Sequence, residues 1–560
     1  MFIQKHRWTQ ALSALLLTWA VLCQEPHMSP LTQTENIISS CPLVCKCVSE
    51  STVNCAGAEL TEFPQQLSDK TLQLYLENNM INEVTTEHVS HLHLLETLNL
   101  QNNGLSSDGK LNRWDAFFSQ TLAFLYLANN KLTSAPKALP HSLVSADFTS
   151  NELTRIYPYT FGYKPKLRSV YLHNNNLTNS NLPEHMFNGS NSLEVLAMSS
   201  NLLTEVPRNL PASLHQLHLK VNNRLRAIPA GAFENLSNLR ELHLQDNLLS
   251  SQGIGPMAFS DLKRLEYLDL SNNNLSVVPS GLPKSLLISL RSLEYLVIHN
   301  NKLRSRTIHP AAFQGLKKLH TLHMYNNLLE RVPRGMPRRA TTLMLLHNSI
   351  SEIGRNDLAL LHTLTELNLS YNRLSSNKLH QEAFRKLRNL STLDLSGNSL
   401  HVFPLGLPRS LQTLEINNNQ LSSIPHGALS GMDKLNRLAL SNNQLKLNSA
   451  YQGAWLELST LITLDLSGNL LTHMPPDLPE SLEYLHLQNN RISSVPASAF
   501  DGMRNLKGLD LKLNRLTVAS VDESTFFLLP DLNVELDFEL SFRPRSSDTI
   551  PLDQEEEEDI

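Results

Sequence analysis

The 560-residue sequence has few cysteines, few tryptophans and almost no charge imbalance. Its 47 basic residues nearly balance 52 acidic residues, so the formal net charge is only −5. The chain therefore lacks the basic excess that is typical of nucleic-acid-binding proteins. The catalytic motifs G-x-S-x-G, G-x-x-x-x-G-K-[S/T] and H-E-x-x-H are also absent. We predict a protein with no enzymatic activity, no cofactor and no nucleic-acid partner.

Long apolar runs are absent apart from one near the N-terminus, from Ala11 to Leu22. This run is too short to span a bilayer comfortably, and Lys5 and Arg7 precede it. The pattern predicts a signal peptide over residues 1–23, and a signal anchor is the alternative. We therefore expect a mature chain that is secreted and does not insert into a membrane.

Cysteine is confined to one cluster if the signal peptide ends at Cys23. The four remaining cysteines follow the spacing C-x3-C-x-C-x7-C and are Cys41, Cys45, Cys47 and Cys55. Four cysteines allow three pairings, and the residues alone do not choose among them. A zinc site is the alternative, but an oxidising destination favours disulfides. We predict a cysteine-rich N-terminal cap at 41–70, after an N-terminal extension at 24–40.

What the sequence does contain is a repeated motif, L-x-x-L-x-L-x-x-N-x-L, within residues 71–540. We count 19 copies, each anchored on the asparagine, from Asn79 to Asn514. This consensus predicts a leucine-rich-repeat solenoid, an α/β horseshoe with short parallel concave strands and little helix. The two strand leucines should point inwards and the residue between them should face the concave surface. The anchor asparagine should bond the backbone of the turn and stack into a ladder.

The repeat lengths follow a cycle with one irregular step. From Asn327 the anchors are spaced 21, 24 and 26 residues apart, which makes a super-repeat of 71 residues. The short repeats carry a proline phrase that predicts an extended convex side, and the longer ones carry segments such as 312–316 that predict brief 3₁₀ turns. The step from Asn273 to Asn301 is only 28 residues, where two repeats of 21 and 24 residues are expected. We predict a local packing defect near Leu287–Arg291.

The C-terminal end differs from the array. Residues Leu528–Phe542 are typical of a degenerate last strand, and no cysteine pair follows them. The segment 541–560 includes five consecutive acidic residues, Glu555–Asp559, and we predict that this tail is disordered.

These features together resemble the small leucine-rich-repeat proteoglycans. The large repeat number, the acidic tail and phrases such as HMFNGS and LPESLEYLHLQNN resemble the podocan branch in particular. The resemblance implies a horseshoe fold, an extracellular-matrix location and the disulfide pairs Cys41–Cys47 and Cys45–Cys55. It also implies binding to fibrillar collagen and modulation of growth-factor signalling or cell growth.

The predicted concave positions are rich in tyrosine and histidine in the first half of the array and more acidic in the second. The candidate ligand-binding residues are Tyr75, Tyr126, Tyr171, His218, His243, Asp269, His323, Asp394, Glu415 and Asp465. Tyrosines give rigid amphipathic contacts, and carboxylates can meet lysine or arginine of a partner. The alternative is that these side chains merely solvate the solenoid.

We predict a secreted matrix protein that binds fibrillar collagen through this face. The alternative is a signalling modulator that binds a growth factor or receptor without binding collagen. Clusters at Arg338–Arg339 and Arg385–Arg388 are weaker candidates for heparan sulfate, and His88, His91 and His93 are expected to be surface residues and not a metal site.

Six N-x-S/T sequons predict N-glycosylation. They are Asn176, Asn188, Asn235, Asn274, Asn368 and Asn389. Asn368 falls on a predicted concave strand, where a glycan would obstruct the groove. No acid-flanked Ser-Gly pair lies at 24–40, so we expect a glycoprotein without a glycosaminoglycan chain.

Overall fold

A computed structural model describes residues 41–107, 121–222, 224–278, 290–526, 529 and 531–538. The predicted signal peptide, N-terminal extension and acidic tail lie outside the described residues. Within the described ranges, no helix is long and apolar enough to cross a membrane.

The described residues form one long sheet of 22 short strands. Strands β1 and β2 pair antiparallel, and from β2 onward each strand pairs in parallel with the next along the chain. The first half comprises β1 Lys46–Ser49, β2 Thr52–Asn54, β3 Gln73–Tyr75, β4 Thr97–Asn99, β5 Phe124–Tyr126, β6 Ser145–Asp147, β7 Ser169–Tyr171, β8 Val195–Ala197, β9 Gln216–His218, β10 Glu241–His243 and β11 Tyr267–Asp269. The second half comprises β12 Tyr295–Val297, β13 Thr321–His323, β14 Thr342–Met344, β15 Glu366–Asn368, β16 Thr392–Asp394, β17 Thr413–Glu415, β18 Arg437–Ala439, β19 Thr463–Asp465, β20 Tyr484–His486, β21 Gly508–Asp510 and β22 Asn533–Glu535. The predicted solenoid is confirmed.

The L-x-L pattern explains why each strand takes its place. In β3, for example, Leu74 and Leu76 are fully buried while Tyr75 between them is half-buried on the concave side. Each leucine packs against the coils on both sides, and such burial stabilises by roughly 1.5–3 kcal/mol per side chain. The strands therefore depend on their neighbours, and the array folds as stacked coils around one continuous core.

The convex side contains little helix, as expected. Its described α-helices are single turns, α1 Thr86–Val89 and α2 Pro158–Phe161. The 3₁₀ helices are Asn179–Asn181, Ser305–Thr307, Ser376–Lys378, Leu447–Ser449, Val518–Ser520 and Glu523–Phe526. Segment 312–316 forms 3₁₀-type turns in which the Leu316 N–H donates to the Phe313 carbonyl at 3.1 Å. Phe313 is buried there, so this turn covers the core from the convex side.

The anchor asparagines form the predicted ladder. Asn130 shows the pattern, because its Nδ2 donates to the carbonyls of Leu100 and Leu127 at 2.9 and 3.1 Å. Its Oδ1 accepts the Leu105 N–H of the preceding coil at 3.0 Å. One buried amide thus satisfies backbone groups of two coils that would otherwise lack partners.

The shortened step does not break this ladder. Strands β11 and β12 pair directly, and the Leu275 N–H donates to Asn301 Oδ1 at 2.9 Å. Residues 279–289 lie outside the described part, so most of the predicted packing defect stays untested, although Leu290 is fully buried.

The ladder is broken elsewhere, where two residues instead of one separate the anchor Asn222 from Leu225. The Leu225 N–H donates to the Asn222 carbonyl at 2.8 Å and not to Oδ1 of the next anchor, Asn247. In the described part of the chain, Asn247 Oδ1 is consequently buried without a hydrogen-bond donor. A buried acceptor without a partner costs about 1–3 kcal/mol, so one inserted residue weakens this point of the array.

The N-terminal cap is closed by two disulfides, Cys41–Cys47 and Cys45–Cys55. These are the pairs that the family resemblance implies, and the predicted disulfide cap is confirmed. Cys55 and Val53 are buried against the first repeat, so the cap covers the core edge that a terminal coil would expose.

Candidate ligand-binding face

Every repeat strand places one side chain between its two inward-pointing residues, most often leucines, at the centre of the concave face. All ten candidate residues lie there as predicted, each as the last residue of its strand. Because neighbouring strands pair in register, these positions form one continuous row along the solenoid. The composition of this row divides the face into three regions.

The first region, which we call the tyrosine row, consists of Tyr75, Tyr126 and Tyr171 on β3, β5 and β7. The strands between them carry the smaller residues Asn99 and Asp147. Two strand spacings of about 4.8 Å therefore separate the backbone positions of successive tyrosines, roughly 9.6 Å in all. This distance leaves a slot between each pair of tyrosines, floored by Asn99 or by Asp147.

Hydrogen bonds fix the residues at the base of each slot, and aromatic rings border them. Asn99 Oδ1 accepts the Gln101 N–H at 3.1 Å, and Asp147 Oδ1 accepts the Thr149 N–H at 2.8 Å, so both floor residues are held in place. Burial raises the pKa of Tyr126, and its neighbours Tyr75, Asp147 and Tyr171 raise it further. Beside this tyrosine, Phe124 keeps 38% of its surface exposed, an apolar group available for contact.

The second region, which we call the histidine stack, begins where rings occupy consecutive strands. His218 and His243 stack with ring centroids 4.3 Å apart and planes 8° apart, and His243 lies 5.0 Å from Tyr267. His173 approaches His218 at 6.1 Å, and Ala197 on the strand between them is only 1% exposed. The slot that Ala197 would offer is therefore closed.

The stack continues through Tyr295 and includes a second pair. The rings of His299 and Tyr325 are 4.0 Å apart and almost parallel, and His323 lies 6.1 Å from Tyr325. His320, which the sequence prediction missed because it precedes its strand, packs edge-on against Tyr295 at 4.6 Å. The stack thus extends over several coils through ring contacts that are parallel in two pairs and tilted or edge-on in the others.

Burial lowers the pKa of four imidazoles in this region, those of His173, His218, His299 and His323. It lowers the pKa of His218 to about 3, with further contributions from His243, His173 and Lys220. It also lowers the pKa of His299 to about 4. The same cause raises the pKa of Asp269 beside them. These four imidazoles are therefore neutral at neutral pH.

The third region consists of Asp394, Glu415 and Asp465 on β16, β17 and β19. These carboxylates, and Asp269 before them, are bonded to their own turns or to a neighbouring strand. Asp465 Oδ1 accepts the N–H and the hydroxyl of Ser467 at 2.9 and 2.6 Å, and Asp269 does the same with Ser271. Asp394 accepts the Ser396 N–H and the Asn368 amide, and Glu415 pairs with Arg437 at 3.3 Å. These acids have a structural role, and their part in ligand binding stays a prediction.

Comparisons with known proteins support the repeat assignment. The model for "Leucine rich repeat" matches residues 212–275, 338–400, 409–471 and 480–534, and the model for "BspA type Leucine rich repeat region (6 copies)" matches 137–210. Podocan of Mus musculus is 51% identical over 537 residues, which cover 93% of this chain and 86% of podocan. The chain belongs to the podocan family.

Other relatives agree with this membership. Podocan-like protein 1 of Homo sapiens is 42% identical over 81% of this chain and 91% of its own length. Keratocan of Gallus gallus is 32% identical over 47% of this chain and 72% of its own length. Membership in the podocan family places the chain among the leucine-rich-repeat proteoglycans of the extracellular matrix.

Solved structures show the same fold. YopM from Yersinia enterocolitica matches with a TM-score of 0.55 at 24% identity, covering 84% of this chain and 92% of YopM. At this level of identity the likeness concerns the fold alone.

The sequons differ in their surroundings. Asn176, Asn188, Asn235, Asn274 and Asn389 are exposed. Asn368 is half-buried on the concave face, where its Nδ2 donates to Asp394 Oδ2 at 3.1 Å and its Oδ1 accepts the Ser370 N–H at 2.9 Å. The Asn368 nitrogen to which a glycan would be attached thus already donates a hydrogen bond on the concave face.

The convex clusters show ordinary packing. His88 stacks on Phe63 with centroids 5.3 Å apart, and its Nδ1 accepts the Thr85 N–H. Across the described ranges, no group of three or more His, Cys, Asp or Glu side chains is arranged to hold a metal ion. Arg385 pairs with Glu382 at 2.6 Å, so one member of the predicted heparan sulfate cluster already has a carboxylate partner.

Proposed function

We propose that this protein is a secreted, non-catalytic matrix protein that binds fibrillar collagen through its concave face. The observation that carries the proposal is the continuous concave row, in which half-buried tyrosines precede a stack of aromatic rings. Nineteen strands about 4.8 Å apart extend for roughly 90 Å, long enough to contact a rod-like partner along its length. Aromatic side chains supply such contacts at low entropic cost.

The test is cosedimentation of the secreted protein with reconstituted type I collagen fibrils. The parent should bind saturably, and a Tyr126→Ala, Tyr171→Ala double variant should lose most of this binding. A matched control removes two exposed phenol rings from the convex side of the same part of the array, with Tyr159→Ala and Tyr163→Ala. Fibrils that fail to pellet the parent would refute collagen binding and favour the growth-factor or receptor alternative.

We also propose that the glycans lie at the five exposed sequons and that Asn368 stays unmodified. A glycan at Asn368 would be attached to the nitrogen that donates to Asp394 and would cover the concave row. Enzymatic release of N-glycans in heavy-oxygen water, followed by mass spectrometry, marks each formerly modified asparagine. Heavy oxygen at Asn368 would contradict this assignment.

A further inference from the structure

The tyrosine row has a period that matches one particular backbone conformation. Successive tyrosines are two strands apart, or about 9.6 Å. A polyproline-II helix has three residues per turn and rises about 3.1 Å per residue, which gives about 9.3 Å per turn. A polyproline-II chain that lies along the solenoid axis therefore brings every third side chain opposite a slot.

The charged groups near the tyrosine row determine which kind of ligand side chain it can bind. At the concave positions of β3–β7 and the two residues that follow each of these strands, the carboxylates are Glu77 and Asp147, and no lysine or arginine lies among them. Burial raises the pKa of Glu77, whose Oε2 is buried without a hydrogen-bond partner. Asp147 lies between Tyr126 and Tyr171, so a cation in this slot meets a carboxylate and two aromatic rings.

The neighbouring slot has a different character. Asn99 offers an uncharged amide between Tyr75 and Tyr126, and Phe124 lies beside the shared wall. An apolar or imino-acid side chain fits these walls, since aromatic grooves of this kind dock the preformed polyproline-II helix. Tyr126 borders both slots and is the central residue of the site.

We propose that the tyrosine row binds a polyproline-II segment of a matrix protein. One side chain enters the Asn99 slot, and a lysine or arginine three residues away enters the Asp147 slot. This inference rests on the proposed function and sharpens it, because each chain of collagen is close to polyproline-II. The histidine stack is excluded from the site, because its rings contact each other and leave no slot.

The probe is a labelled twelve-residue proline-rich peptide with one central arginine, whose binding to the full secreted chain is followed by fluorescence anisotropy. A glutamate scan along the peptide should weaken binding at every third position. The Tyr126→Ala variant should lose roughly tenfold or more in affinity, because both slots lose a wall. Tyr484→Ala, which removes a 42% exposed concave tyrosine at the other end of the array, should leave affinity unchanged.

A second variant isolates the charge. Asp147→Asn keeps an oxygen that can accept the Thr149 N–H, so the slot should keep its shape. It should weaken the arginine peptide roughly fivefold to tenfold and leave a peptide with glutamine at the same place unaffected. Equal losses for both peptides would overturn the assignment of the basic side chain.

Three results would overturn the slot proposal as a whole. They are a scan without a three-residue period, equal affinity for a flexible glycine–serine peptide, and unchanged affinity in Tyr126→Ala. The collagen fibril experiment separates this failure from failure of the proposed function. If the chain binds fibrils but the glutamate scan shows no three-residue period, the proposed function stands and the slot proposal fails. If the scan shows the period but the chain does not bind fibrils, the slot proposal stands and collagen binding fails.

Discussion

The tyrosine row and the histidine stack both place aromatic rings on or beside the strands of the concave face, yet they differ in what they leave accessible. In the row, small residues such as Asn99 and Asp147 stand between the rings. In the stack, rings on consecutive strands approach to 4.3 Å. The difference shows that the spacing of rings along a solenoid decides whether they face a ligand or each other.

The two regions also differ in their energetics. Stacking removes the imidazoles from water, which lowers the pKa of His218 to about 3, and leaves His243 only 6% exposed. Such burial stabilises the folded chain through apolar area and ring contact. Tyr126 remains half-buried and contributes less to stability, so its ring remains available for binding.

The largest expected effect comes from opening the stack. His243→Ser should cost about 2–4 kcal/mol in the local free energy of unfolding, because it removes a buried ring that packs against His218 and Tyr267. Tyr126→Ser should cost only about 1 kcal/mol or less, because its ring is partly solvated. Hydrogen exchange of the amides in β9–β11 and in β4–β6 measures both values.

The matched control is Tyr484→Ser, which alters an exposed ring far from both regions. Equal protection losses in His243→Ser and Tyr126→Ser would show that stacking adds no stability, and the distinction between the two regions would fail.

The sequence predicted the fold closely because the solenoid is local. The L-x-L pattern and the anchor asparagine each act within one coil and its neighbour, so strand positions and the ladder could be derived from them. The ladder break at Asn222 was not predicted, although its signal, one extra residue before Leu225, is visible in the sequence.

The candidate site was predicted less completely. Concave positions followed from the pattern, but the internal bonds of Asp269 and Asp465 did not, although a serine two residues further on marks both. The contact between the His173 and His218 rings, which closes the slot over Ala197, depends on the side-chain rotamer of His173. No periodicity in the sequence specifies that rotation.

A change of pH should affect the two regions differently. In the unfolded chain His218 takes up a proton below its ordinary pKa of 6.5, while in the folded chain its pKa is about 3. The unfolded state therefore binds more protons between these values, so stability falls as the pH drops through this window. At pH 5 the expected loss is about 2 kcal/mol relative to pH 7.5, measured as hydrogen exchange of β8–β10.

The variant His218→Gln removes this titration and should reduce the pH dependence of β8–β10 by about that amount. Amides of β18 and β19, which lie outside the stack, serve as the internal reference. The same pH dependence in parent and variant would mean that His218 is not desolvated as the structure indicates.

The smallest expected change in stability comes from converting the row into a stack. Asn99→Tyr would place rings on three consecutive strands, β3 to β5, and close the first slot. Because the new ring gains contacts but loses the bond to the Gln101 N–H, the net gain should be about 0.5–1 kcal/mol in hydrogen exchange of β3–β5. The same variant should bind the proline-rich peptide at least tenfold more weakly, so stability and affinity should change in opposite directions. If both rose together, the added ring would be part of the binding surface, and spacing would not be what separates the two regions.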